Sequence, residues 1–220
     1  MGAGCAINAG MITALLPAFT KGFALSAGLI VAIGAQNMFV LRQGLKREHV
    51  GPIVLFCATA DAVLIVAGVS GLGGVLSLVP GLSLALGLGG AAFLGWYGVS
   101  ALRRAARPSA LIVDDQPAIA LGAALAGTAA FTFLNPHVYI DTVMLMGAVG
   151  ASLPSVERPL FMAGAALASL TWFSTLGFGA RLVAPLFARP TAWRVLDVGV
   201  GLMMLTLAAS LLHGAVAVGR

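Results

Sequence analysis

The chain has 220 residues, 60% hydrophobic and 9% charged, a formal charge of +5 and a mean hydropathy of +1.04. Water-soluble domains carry about 25% charged residues, so this composition excludes one and describes an integral membrane protein whose first partner is the lipid bilayer. The positive charge lies between apolar runs, where it sets membrane topology, and calls for no nucleic acid.

The apolar runs reach about 20 residues, the length of a membrane-crossing helix, and lack the period-two alternation of a membrane barrel. Residues 1–19 make an N-terminal segment; residues 1–10 show no pattern of their own, and Met11 is an alternative start. With no basic stretch at the N-terminus, no cleavable signal peptide is expected. Spans are predicted at 20–41, 52–76, 81–102, 118–150, 160–180 and 193–216. Residues 103–117, "RRAARPSALIVDDQP", form the longest polar connection and fall at the midpoint. Three spans on each side make the second half enter the membrane upside down. The predicted fold is therefore an all-α membrane protein, six transmembrane helices as two inverted three-helix repeats (20–102 and 118–220) with broken first and fourth helices, a recurrent transporter plan. Loops after odd-numbered spans hold nine of the twelve basic residues, which places the 103–117 linker in the cytoplasm and both termini outside it.

The polar residues within the spans are few, and each needs an internal partner in lipid. In span one, Gln36 and Asn37 interrupt an apolar run, and Gln36 continues a line of small residues, Ala24, Gly28 and Ala32, expected to face another helix closely. Span two carries Asp61 about ten residues in, near mid-membrane. A charge at that depth costs about 2.5–3.5 kcal/mol on insertion scales. Span three has a second small-residue face, Gly87, Ala91 and Gly95, expected to pack within the molecule, with a dimer seam, and hence a homo-oligomer, as the alternative. In span four, "FTFLNPHVYIDTVMLMG", Asn135 and Pro136 read either as a proline kink or as a helix that stops and restarts, with asparagine as cap and proline as first residue. A restart would aim free N–H groups, suited to a carboxylate, into the membrane. Asp141 follows, one helical turn after His137, which is placed either to relay protons or to bond Asp141. Span five is partly polar at Ser169, Thr171, Trp172 and Thr175. No lysine or arginine lies in the uncharged interior of a span. Asp61 and Asp141 must then be protonated part of the time, solvated, or paired with a cation that comes and goes. Cys5 and Cys57 give no metal spacing and no disulfide framework; no nucleophile with a base and no phosphate loop is present. Neither an enzyme, a cofactor nor a metal is expected.

Three stretches, "AIGAQNMFVLRQGLKREHV", "FTFLNPHVYIDTVMLMG" and "LGFGARLVAPLFARPTAWRVLD", resemble the LysE/ArgO-type exporters of basic amino acids, from about residue 14 onward. Related exporters of neutral amino acids carry Pro-Gly-Pro where this chain has "GAQN"; Met38 stands where members often have a small residue. The resemblance implies export of arginine, lysine or analogues such as canavanine across a bacterial inner membrane. Its chemistry suits the residues already singled out. Gln36, Asn37 and the Asn135-Pro136 helix start would hold the substrate carboxylate, and Asp61 and Asp141 the cation, with Trp172 beside them. Asp61, Asp141 and His137 would exchange protons for substrate. Exporters of neutral amino acids, or carriers of small inorganic or metal ions, are the alternatives on the same fold.

Overall fold

The computed structural model describes residues 2–31, 34–72, 82–106, 119–183, 185 and 190–218. Most of the predicted linker, from 107 to 117, lies outside the described residues, as does the end of the second predicted span from 73 to 76. The described residues are helical almost throughout, and no strand occurs among them. In chain order the helices are α1 (Gly2–Ile30), α2 (Ala35–Lys46), α3 (Val50–Ala67), running into the π-helical π1 (Gly68–Leu72), and α4 (Leu82–Ala106). Further along come α5 (Leu121–Phe133), α6 (Pro136–Val138), π2 (Tyr139–Leu145, again π-helical), α7 (Met146–Ala151), α8 (Arg158–Val183) and α9 (Pro190–Val218).

Among the described residues three segments, Val50–Gly71, Arg158–Leu182 and Thr191–His213, are long and apolar enough to cross a membrane. Leu16–Ile30 with Ala35–Lys46 makes a fourth if the pair is one broken span. Leu121–Phe133 and Tyr139–Ala151 are apolar but short, about 20 Å each against a hydrocarbon core of about 30 Å. Lipid-type exposure is plain on the long helices, where Leu55, Val63, Leu182 and Val195 are all exposed. The first helix starts at Gly2, and its apolar part, Leu16–Ile30, begins close to the predicted span start at residue 20.

The helices gather into two compact units. One takes Met1–Ala32, Ala58–Leu78 and His137–Trp172; the other takes Ile33–Cys57, Val79–Pro136 and Phe173–Arg220. In the first, Ile65, Val69, Met146, Phe161 and Ala165 form a buried core, with Leu25, Leu29 and Met162 packed against it. Glycines bring its backbones together. A Cβ at Gly22 would run into the Phe161 carbonyl, and one at Gly68 into that of Val143. A Cβ at Gly147 would lie 2.6 Å from the Gly68 oxygen. Gly68 of π1 thus meets both π2, at Val143, and α7, at Gly147, where small residues permit close approach, and Gly71 lies near the end of π1 with φ of 102°, a conformation that favours glycine. The predicted contact face through Gly28 is not the one used. A Cβ at Gly28 would meet nothing within 4 Å, and the line from Ala24 to Gln36 is cut where α1 stops.

In the second unit an aromatic cluster joins α2, α4 and α5. Phe131 lies 4.7 Å from Phe93, 4.8 Å from Tyr97 and 5.2 Å from Phe39, centroid to centroid. Helices α4 and α9 pack at Gly98, whose Cβ would stand 3.0 Å from the Gly201 oxygen. The predicted α4 face fails at Gly95, which is open, while Ala91 is buried.

Candidate functional site

In the first unit, Asp61 stands near the middle of α3, buried at 9% exposure. The fully buried Ser169 on α8 donates a hydrogen bond to its carboxylate, Oγ to Oδ2 2.6 Å. Among the described residues Asp61 has no ion pair. Its carboxyl group is thus held by a neutral hydroxyl from another helix. Ser169 falls about three turns into an alanine- and leucine-rich helix, so its apolar neighbours bury the pair.

Asp141 lies in π2, half-buried, two residues before the Val143–Gly68 crossing. Its carboxylate makes no hydrogen bond or ion pair with a described residue, so the bond from His137 expected at one-turn spacing is not made. His137 belongs to the short α6 and Asp141 to the π-helical stretch that follows it. His137 is exposed and Trp172 half-buried.

In the second unit, α2 begins at Ala35, so Gln36 and Asn37 occupy its first turn. Asn37 is buried, and the Gln36 Nε2 is a buried donor with no hydrogen-bond partner among the described residues. Buried donors of this kind are rare and call for an explanation. In the second half of the chain, α5 ends at Phe133, Asn135 lies between helices, and Pro136 opens α6. The chain stops and restarts there instead of bending through a proline kink.

The second unit also holds an ionic cluster that no sequence motif announces. Asp197 on α9, 2% exposed, pairs with Arg42 of α2 and with Arg104 of α4 at 3.3 Å. Arg104 also lies over the Tyr97 ring, 5.6 Å from its centroid. Arg104 lies in the last turn of α4, the favourable end for a positive charge, whereas Arg42 and Asp197 lie further inside their helices and are held by each other. The signal available in the sequence was Asp197 itself, a third acid within a predicted span. Among the described residues no group of three metal-binding side chains occurs, and Cys57 is buried.

The sequence matches the family model of the LysE type translocator over residues 27–215. A "putative amino-acid transporter" of Mycobacterium tuberculosis is 47% identical over 184 residues, 84% of this chain and 91% of that protein. One of the same description from Aeromonas salmonicida is 43% identical over 197 residues, 89% of this chain and 95% of that protein. No solved structure matches.

Proposed function

The chain belongs to the LysE type translocators, a family of transporters and not of enzymes, and from that premise we propose that it exports basic amino acids from the cytoplasm in exchange for protons. The observation that carries this reading is Asp61, a buried carboxylate whose hydrogen-bond partner is neutral. Such a group binds either a proton or a cation. A basic amino acid such as arginine, lysine or canavanine supplies the cation, and its own carboxylate accepts from the orphaned Gln36 amide, from Asn37 and from the helix restart at Asn135-Pro136. Asp141 is the second carboxylate for the cation; His137 relays protons and Trp172 covers the substrate.

Energetics favour the exchange. Carrying one positive charge outward against about 100 mV, inside negative, costs about 2.3 kcal/mol. One proton moving inward cancels that electrical cost. A carboxylate that accepts the proton or the substrate cation, never both, couples the two movements.

In this reading the helices form six spans in two inverted three-helix repeats, with both termini on the outer face of the inner membrane. The basic residues between helices support that orientation. Alkaline phosphatase fused after Arg220 is then active; a stably made but inactive fusion contradicts the topology. The substrate is tested by efflux of radiolabelled arginine and lysine from proteoliposomes, with and without an inward proton gradient. The gradient accelerates both; efflux of neutral amino acids alone overturns the basic-substrate reading.

A further inference from the structure

Helix α2 is short, and it carries Gln36, Asn37, Arg42 and Gln43 within twelve residues. Apolar contacts hold it too, Phe39 in the aromatic cluster and Leu45 against Ala180 and Trp193. Its neighbours are small where it presses closest: a Cβ at Gly44 would meet the Gly177 backbone oxygen and lie 2.7 Å from the Ala180 methyl. Small-residue contacts of this kind tolerate sliding. The ion pair does not, because a shift of one turn, about 5.4 Å, would leave the Arg42 and Asp197 charges buried and separated. Buried polar pairs serve most securely in this way, as devices that fix register.

We propose that Arg42 and Asp197 are positioning residues for transport: their ion pair sets the axial register of α2 and so the place of the Gln36 amide at its other end. Gln36 precedes Arg42 by six residues, about 9 Å along the helix. Phe39 lies between them and stacks on Phe131 and near Tyr97, so the rotation of α2 is set by aromatics and its translation by charge. Arg104, longer in its contact and more exposed than Arg42, orients the Asp197 carboxylate and adds little to the register. The inference rests on the assignment of Gln36 to the substrate carboxylate.

The test uses the full-length protein in proteoliposomes. Asp197→Asn raises KM for arginine about tenfold, the effect of one misplaced hydrogen bond, with turnover near that of wild type; Asp197→Glu falls between the two. If Asp197→Asn accumulates poorly, Arg42→Gln combined with Asp197→Asn removes both members of the pair, and the same rise in KM is expected. A wild-type KM in both variants, whatever their stability, overturns the proposal. A second readout is independent of the substrate. With Cys5 and Cys57 replaced by serine, the rate of maleimide labelling of Met38→Cys on α2 changes several-fold when Asp197→Asn is added; an unchanged rate overturns the register role. Absence of arginine transport by the wild type would remove the basic-substrate reading alone, and the labelling would still decide the register.

Discussion

The two units each bury a carboxylate in a helix, and they treat it in opposite ways. Asp61 has one neutral hydroxyl for a partner, whereas Asp197 has two guanidinium groups. An acid that is permanently paired has no vacancy for a proton or a substrate and serves the architecture. An acid held only by a hydroxyl has its charge left to balance, and an exchanging cation can do that. Burial alone does not separate the two: Asp61 is 9% exposed and Asp197 2%. The partners separate them.

Substitutions at the two acids should diverge accordingly. Asp61→Asn is expected to reduce proton-driven efflux to background while the purified protein melts at or above the wild-type temperature, because the change removes a costly intramembrane charge and keeps the shape. Asp197→Ala should do the reverse in stability, lowering it by about 3–5 kcal/mol, since it strands the buried Arg42; thermal unfolding in detergent reads this as a clear fall in melting temperature. Equal destabilisation by the two changes would erase the distinction.

Smaller changes sharpen it. Ser169→Ala deletes one hydrogen bond to the carboxylate, which should weaken efflux about tenfold while its dependence on the proton gradient persists. Arg104→Gln leaves the Arg42–Asp197 pair in place, and its cost should stay within about 1 kcal/mol in the same melting experiment.

The legibility of the two acids in the sequence differs for a physical reason. Asp61 is conspicuous because nothing charged lies near it along the chain, although its Ser169 partner lies 108 residues away. Asp197 is 155 residues from Arg42, and Arg194 one turn earlier makes the region read as the edge of a loop. Arg42 and Arg104 in turn read as topology-setting loop charges. Only the packing of three helices shows that they are paired. Glycine contacts are hidden similarly. Gly22 and Gly28 are equally small, yet one meets a backbone and the other meets nothing, which depends on the neighbour and not on the residue. Helix breaks are better marked: Asn135-Pro136 announces a restart through proline's missing donor, and the amides of Gln36 and Asn37 mark the first turn of α2. The widening at Tyr139–Leu145 has no composition that distinguishes it from ordinary helix.

If Asp61 couples the exchange, it gives up a proton when it takes the substrate cation. Proton release on binding measures this most directly: arginine is added to the purified protein in weakly buffered detergent solution, and the pH change is followed beside calorimetric binding. Linkage requires that protons leave in proportion to the site occupied. At a pH where the free site is protonated, close to one proton per bound arginine should appear, and none with Asp61→Asn. Arginine binding without proton release, or release undiminished in Asp61→Asn, would contradict that coupling.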